Sequence, residues 1–330
     1  MNRRDSITDV PGIKVGHASD FMALTGCTVI LCEEGAIGAV DIRGTAAGTR
    51  QMDPLTHLHL VDKIQAVLLA GGSAFGLDAA GGVMAYLEER GKGFDVGETK
   101  IPHVPTAVIF DFGIGDFRVR PDREMGYQAC LNASRKVAEG SIGVGTGATV
   151  GKLFGMERAM KGGVGTSSIQ GPKGIIVGAL VVVNAFGDVF DPVSNQILAG
   201  ARKSRKSARL ADSSKWMKRG VARKQFGAVT PSDANALNTT LGVVATNANF
   251  TKKELHQVAQ IAHSGLTKVI SPLHTTFDGD LIFTLSYGRK KADVNTVGLL
   301  GKAVLMESVK RAVTKAKGLG ILPARRDIIA

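Results

Sequence analysis

The segment best suited to chemistry is Asn238-Thr239-Thr240, in which the hydroxyl of Thr239 follows the peptide bond from Asn238. Residues 227–238 are rich in Pro, Ser, Asn and Ala and predict an exposed loop, whereas residues 240–246 have the β-branched composition of a strand. A threonine where a loop enters a strand can attack the preceding carbonyl carbon in an N-to-O acyl shift. Hydrolysis of that ester would leave Thr239 as a new N-terminus, and its α-amine, with a pKa of about 7.7–8.0, would serve as a base.

Motifs for phosphate, dinucleotide and metal binding are incomplete in this chain. The glycine-rich stretch at residues 143–152 has Thr146 where a phosphate-binding loop needs glycine, and Leu153 follows it where the loop needs a hydroxyl residue. Ser73 replaces the middle glycine of a dinucleotide-binding turn, and His57 and His59 alone are a weak metal pair. The three cysteines match neither a zinc site nor a set of paired disulfides, so we expect buried or free thiols. The sequence therefore predicts no metal and no organic cofactor.

The elements that must position Thr239 alternate between strand and helix, which predicts an α/β or α+β fold with helices and sheets layered around one core. Strands are predicted at residues 26–32, 38–43, 66–70, 104–112, 175–183, 240–246 and 281–286, and helices at residues 72–90, 123–139, 251–264 and 296–317. Thr251 and Glu254 form a capping box at the start of the third helix. We expect His263 and His274 to be packing or capping residues.

Positive charge is concentrated in one segment. The chain has a net charge of +12, and residues 202–224 hold ten Lys or Arg and one Asp, which contributes +9. An acidic partner is one interpretation of this segment, and a solvated surface is the other and favoured one, because Trp216 is its only aromatic residue. We therefore expect no nucleic acid as the main partner.

Length and composition exclude several classes of protein. With 330 residues and 44% hydrophobic residues, the chain has enough apolar surface to fold. Its longest apolar run, residues 175–183, is far shorter than the ~20 residues of a membrane-spanning helix. No apolar segment follows the charged first residues, so we expect no signal peptide, no membrane association and a cytoplasmic location.

An ordered set of motifs resembles the P1 family of N-terminal nucleophile peptidases, which comprises D-aminopeptidases, β-aminopeptidases and the endo-hydrolases of 6-aminohexanoate (nylon) oligomers. The resemblance covers most of the chain. Its motifs are Thr8-Asp-Val-Pro-Gly-Ile-Lys-Val-Gly-His17, Asp41-Ile-Arg-Gly44, Ala70-Gly-Gly-Ser-Ala-Phe-Gly-Leu77, Ala107-Val-Ile-Phe-Asp111, Gly145-Thr-Gly-Ala-Thr-Val-Gly-Lys152, Val182-Val-Asn-Ala-Phe-Gly187, Asn238-Thr-Thr240 and His274-Thr-Thr-Phe-Asp-Gly-Asp280.

The resemblance implies a role for six residues. Thr239 would be the nucleophile and Asn238 the last residue of the larger fragment. Asn184 matches an asparagine whose side-chain amide helps to hold the oxyanion, and Lys152 matches a lysine that contacts the site in the nylon-oligomer enzymes. Asp278 and Asp280 match an acidic pair beside the nucleophile, and side chains two residues apart face the same side of a strand.

The resemblance also implies a fold and an activity. We expect a single domain over residues 1–330, folded as a helix–sheet–sheet–helix sandwich and cut into fragments 1–238 and 239–330. Processed units would form a homotetramer that hydrolyses short peptides or amides. Two enzymatic alternatives remain open, an endo-hydrolase of 6-aminohexanoate oligomers and an acyltransferase of the ornithine acetyltransferase type.

Overall fold

The fold was analysed in a computed structural model, which describes residues 3–222 and 238–329. Of the predicted loop at residues 227–238, only Asn238 lies within these ranges, and residues 223 and 224 of the basic segment lie outside them. No helix in the described ranges has both the length and the apolar character needed to cross a membrane.

The elements follow one another along the chain in a mixed order of strands and helices. The strands are β1 (Arg3–Arg4), β2 (Lys14–Asp20), β3 (Thr25–Ile42), β4 (Gly48–Arg50), β5 (Lys63–Ala70), β6 (Phe94–Asp95), β7 (Lys100–Ile101), β8 (Thr106–Val108), β9 (Thr149–Val150), β10 (Met160–Lys161), β11 (Gly163–Gln170), β12 (Ile176–Asn184), β13 (Asp188–Phe190), β14 (Ile197–Ala199), β15 (Thr239–Ala248), β16 (Ile270–Ser271) and β17 (Leu281–Lys290). The α-helices are α1 (Ala79–Glu88), α2 (Arg123–Leu131), α3 (Ser213–Lys218), α4 (Lys252–His263), α5 (Val294–Thr314) and α6 (Arg325–Ile329).

One long strand joins the two halves of the main sheet. The strand order is β1-β11-β12-β15-β17-β3-β5-β8-β4, and β2 also pairs with β3. The first part of β3 lies between β2 and β5, and its last part pairs with β17. The register of β3 against β5 shifts between Leu31 and Ala36. Such a bulge bends a strand, so β3 contributes to both layers of a folded-over sheet.

Alternation of side chains along these strands builds three apolar layers. In β3, Val29 and Leu31 contact the side chains of α1 and α2, while Ile30 faces the other half of the sheet. In β12, Val181 packs towards α4 and α5, while Val182 belongs to the layer between the sheets. The order is therefore helices, sheet, sheet, helices, and the predicted layered sandwich is confirmed.

Several predicted element bounds were wrong, for identifiable reasons. Residues 26–32 and 38–43 belong to one strand, Thr25–Ile42. The strand expected over residues 104–112 is reduced to Thr106–Val108, because Pro105 offers no backbone N–H to a ladder. The helix expected over residues 123–139 ends at Leu131. Beyond it the chain leaves the helix, and Ser134 exchanges backbone hydrogen bonds with Val15 of β2.

Helices α1 and α2 pack backbone to backbone through two glycines. A Cβ atom on Gly82 would lie 1.8 Å from the carbonyl oxygen of Arg123, and one on Gly126 would lie 2.0 Å from that of Ala79. Any larger residue would push the helices apart. The helix predicted over residues 72–90 also divides here, into a 3-10 helix at Ser73–Asp78 and α1.

Candidate active site

The bond between Asn238 and Thr239 lies at the buried start of β15. The Thr239 hydroxyl Oγ1 donates a hydrogen bond to the carbonyl oxygen of Asn238 at 2.6 Å. The backbone N–H of Gly279 donates to the same oxygen at 2.8 Å. Both residues of the bond are almost fully buried. A hydroxyl is thus in contact with the peptide group it would attack, and an N–H group already contacts the oxygen on which negative charge would develop.

The parallel pairing of β15 with β17 places Asp278 and Asp280 beside this bond. Leu241 pairs with Leu281, so the two strands begin side by side, and Asn238 forms a bridge with Asp278. Asp280 Oδ1 accepts the backbone N–H of Thr240 at 2.6 Å. Both carboxyl groups therefore lie beside the backbone on either side of Thr239.

The environments of the two carboxylates differ. Asp278 Oδ2 accepts both the backbone N–H (2.9 Å) and the hydroxyl (2.6 Å) of Thr275, and its Oδ1 lies 3.4 Å from the N–H of Phe186. Burial raises the pKa of Asp278 well above its usual range, and the charge of Asp280 raises it further. Asp278 is therefore the carboxylate suited to exchange a proton near neutral pH.

Asn184 lies directly opposite Thr239. The antiparallel register of β12 and β15 pairs these two residues, and Asn184 is fully buried. Its Oδ1 accepts hydrogen bonds from Lys152 Nζ at 2.7 Å and from the N–H of Thr149 at 3.0 Å. Its Nδ2 donates to the carbonyl oxygen of Phe110 at 3.0 Å. These contacts fix the amide orientation, and an amide nitrogen carries a second hydrogen that can serve a substrate.

Lys152 is buried rather than exposed after its glycine turn. Its side chain is 1% exposed, and Nζ also donates to the backbone oxygen of Asn184 at 2.8 Å. The ammonium group therefore lies in the same polar cluster as the residue opposite the nucleophile. In its protonated form this side chain would stabilise an anion formed at Thr239.

A second buried lysine, Lys161, binds the backbone that leads to Thr149. Lys161 Nζ donates to the carbonyl oxygens of Thr146 (2.7 Å) and Ala148 (2.8 Å), next to Thr149. Burial lowers the pKa of Lys161 to about 7, and the charge of Asp111 opposes this shift. Asp111 is itself buried, and burial raises its pKa. The sequence offered no periodic signal for this pair.

Two histidines that we expected to pack or cap are bonded to buried carboxylates. His274 Nδ1 lies 2.9 Å from Asp280 Oδ2, and its backbone N–H lies 3.2 Å from the same oxygen. His263 Nδ1 lies 2.8 Å from Asp41 Oδ2, and the two imidazole rings meet edge to face with centroids 4.8 Å apart. His274 belongs to the motif that ends in Asp280, which is the signal that could have identified it.

All six residues singled out from the sequence meet in this cluster: Lys152, Asn184, Asn238, Thr239, Asp278 and Asp280. The sequence did not identify Thr149, Thr275, Gly279 or His274, which contact members of the cluster. Across residues 3–222 and 238–329, no group of three or more His, Cys, Asp or Glu side chains is arranged to hold a metal ion.

Within the described residues, most of the basic segment lies on the surface. Of the eight Lys and Arg residues at positions 202–222, seven are exposed. The exception is Arg202, whose guanidinium donates to the carbonyl oxygens of Arg205 and Glu157. This arrangement fits the solvated surface that the composition favours.

Comparison with known proteins places the chain among peptidases. The model of peptidase family S58 matches residues 5–323. An uncharacterized aminopeptidase of Mycobacterium tuberculosis is 37% identical over 348 residues, covering 98% of each chain. A 6-aminohexanoate-oligomer endohydrolase of Kocuria sp. is 30% identical and covers 92% of this chain and 84% of that protein. The L-aminopeptidase D-Ala-esterase/amidase of Ochrobactrum anthropi, described as a variant of the Ntn hydrolase fold, matches with a TM-score of 0.67 at 17% identity, over 94% of this chain and 86% of that one.

Proposed function

Because the chain belongs to peptidase family S58, we propose that it is a self-processing amide hydrolase whose nucleophile is Thr239. The observation that carries the proposal is the contact of Thr239 Oγ1 with the carbonyl oxygen of Asn238, which also accepts the N–H of Gly279. Nucleophile, peptide bond and oxyanion donor thus meet before any substrate arrives.

Processing requires one acyl shift and one hydrolysis. Thr239 Oγ attacks the carbonyl carbon of Asn238, and the oxygen that becomes negative keeps its hydrogen bond from Gly279. The C–N bond then breaks, and the hydroxyl proton passes to the nitrogen of Thr239. Water hydrolyses the ester to give the Asn238 carboxylate and the free Thr239 hydroxyl. The products are residues 1–238 and 239–330, and β12 and β15, one from each fragment, remain paired along eight residues.

Turnover of a substrate amide uses the amine that processing releases. The α-amine of Thr239 takes the proton from its own hydroxyl, and Oγ attacks the carbonyl carbon of the substrate. Asp278 and Asp280 orient the resulting ammonium, which gives its proton to the departing amine as the C–N bond breaks and leaves the acyl group on Oγ. The amide of Asn184 and the ammonium of Lys152 stabilise the oxyanion. Water then releases the acyl group from Oγ.

The substrates we propose are short peptides or small amides. The relatives named aminopeptidase support this class, and the relative named 6-aminohexanoate-oligomer endohydrolase supports a linear ω-amino acid amide as a second candidate. Release of 6-aminohexanoate from its oligomers, measured beside dipeptide cleavage, distinguishes them. Turnover of acetylornithine would instead indicate an acyltransferase.

We further propose that processed units form a homotetramer, as the resemblance implies, and that the protein is cytoplasmic, as its N-terminal residues and cysteines predict. Light scattering of the purified protein tests the assembly. A mass near 34.5 kDa for the processed pair would mean that the unit is a monomer.

The first experiment is the intact mass of the denatured protein for the wild type and Thr239→Ala. We expect two fragments divided between Asn238 and Thr239 in the wild type and one uncut chain in the variant. Thr239→Ser keeps a hydroxyl and should still be cut. A wild-type chain that stays uncut after long incubation, with no amide hydrolysis, would overturn the proposal.

A further inference from the structure

His274 has an unusual backbone conformation, and its contacts indicate why it is kept. Its φ is +55°, in the left-handed region that few residues other than glycine adopt, with asparagine, aspartate and histidine the commonest exceptions. In this conformation both its backbone N–H and its ring Nδ1 reach the same oxygen, Oδ2 of Asp280. Strain of this kind persists where the surroundings hold it, and it is concentrated at functional sites.

The other oxygen of that carboxylate contacts the nucleophile strand. Asp280 Oδ1 accepts the N–H of Thr240, the residue that follows Thr239. Two groups of His274 and one backbone N–H of β15 thus fix both oxygens of a fully buried carboxylate. A rotation of Asp280 would release the amide of Thr240, so the orientation of His274 is transmitted to the start of the strand.

The ring of His274 is itself held from outside the site. His263 lies edge to face against it, and Asp41 anchors His263. Asp41 also accepts Arg43 Nε at 2.8 Å. Burial lowers the pKa of His263, whereas its hydrogen bond to Asp41 opposes the shift. Burial raises the pKa of Asp41, but the bonds and charges of His263 and Arg43 outweigh this and lower it overall.

These partners decide which ring nitrogens carry protons. An ionised carboxylate has no proton to donate, so towards such a partner Nδ1 of His263 and Nδ1 of His274 are the donors. Facing His274 are the carboxyl group of Asp280, the imidazole of His263 and, beyond Asp280, the second carboxyl group Asp278, whose pKa is raised by burial and further by the charge of Asp280. A donor lost at Nδ1 would favour the protonated form of the aspartate pair.

We propose that His274 is a positioning residue for the reaction: its Nδ1 holds the carboxyl group of Asp280 aimed at the amide of Thr240, and His263, anchored by Asp41, holds the ring in place. The inference rests on the proposed function of Thr239. It assigns His274 no contact with substrate, and its effect passes through Asp280.

The test compares two variants of His274 that carry the same amide group at different distances from the backbone. In His274→Asn, Nδ2 is bonded to Cγ like Nδ1 of histidine, and asparagine tolerates a positive φ. In His274→Gln, the amide nitrogen lies one bond further out. His256→Asn and His256→Gln are matched controls, because His256 Nδ1 contacts the carbonyl oxygen of Val40 on an exposed face of α4.

We measure the rate of fragment formation by intact mass and the pH profile of kcat/KM for amide hydrolysis. His274→Asn should process within about threefold of the wild type and keep its profile. His274→Gln should process at least tenfold more slowly, and its acid limb should move to higher pH, because a carboxylate without its donor is protonated more easily. The His256 pair should match the wild type in both measurements.

Equal rates and equal profiles for His274→Asn and His274→Gln would overturn the inference while leaving Thr239 intact. If His274→Gln does not fold, His274→Asn decides: a variant with the wild-type melting temperature that fails to process also overturns it. A wild-type chain that does not process contradicts the proposed function instead, so the two failures are distinguishable.

Discussion

Substitution of Asn184 by Asp tests whether turnover and self-processing use different oxyanion donors, as we propose. The change keeps the size of the side chain and the acceptor for Lys152, but it removes the amide Nδ2 and both of its hydrogens. In the uncut chain the carbonyl oxygen of Asn238 already accepts the N–H of Gly279. Processing should therefore survive, whereas substrate hydrolysis should lose its side-chain donor.

The magnitudes follow from the contacts. Loss of one oxyanion donor typically lowers kcat by about 10²–10³-fold, or about 3–4 kcal/mol. For stability, the oxygen of Phe110 loses its partner at a cost of about 1–3 kcal/mol. The new carboxylate gains a charged hydrogen bond to Lys152 Nζ, which contributes about 1.5–3 kcal/mol. The buried carboxylate also loses its hydration and places an oxygen against the oxygen of Phe110, so the variant should lose stability as well as activity, and the urea midpoint separates the two losses.

The assay pairs three measurements on Asn184→Asp: fragment formation by intact mass, kcat for a dipeptide substrate, and the urea midpoint. Asn132→Asp is the control, because Asn132 also donates its amide to a backbone oxygen, that of His17, on an exposed part of the fold. A processed variant whose kcat falls less than threefold would remove Asn184 from the oxyanion site. Equal losses in processing and turnover would refute the separate role of Gly279.

Three further predictions test the support of the site. Lys161→Met should reduce the increase in the free energy of unfolding between pH 7 and pH 9. In the wild type, the unfolded chain keeps the Lys161 proton up to about pH 10.5, whereas the folded chain releases it near pH 7. Wild-type stability therefore gains up to about 1.4 kcal/mol per pH unit in this window. Urea midpoints at both pH values check it, and equal slopes would contradict it. Leu305→Ala, in the fully buried α5 face, should lower the free energy of unfolding by about 2–5 kcal/mol in urea titrations, while the folded protein still processes; a loss under 1 kcal/mol would mean that the face is loosely packed. Asp278→Asn should lower kcat and move the acid limb of the pH profile to lower pH, because it removes the carboxyl group with the raised pKa and leaves Asp280 without a charged neighbour; a limb that persists unchanged would assign it to another group.

Local sequence signals predicted the elements that carry the site. Loop composition before Thr239 and β-branched residues after it predicted the strand start that the structure has at Thr239. The capping box at Thr251 and Glu254 was confirmed at the first turn of α4. These signals depend on neighbours within a few residues, which is why they can be read without a fold. Bounds were wrong where a distant contact ended an element, as at Leu131 and Ser134.

The resemblance singled out the candidate site residues, but no local pattern predicted their contacts. Asn184 and Thr239 are far apart in the chain, and they meet only because the register of β12 against β15 pairs them. The parallel alignment of β15 with β17 brings Asp280 to the amide of Thr240.

The sequence by itself determined the layered class of the fold, since short periodic patterns are local properties, and its ordered set of motifs indicated amide hydrolysis through the resemblance that they carry. Only the tertiary structure decided that Lys152 is buried, that Gly279 donates to the carbonyl of Asn238, and that His274 holds Asp280. Each of these depends on strand register and on packing between segments distant in the chain. Hydrogen bonds at such junctions follow no periodicity, so they become visible only once the strands are paired.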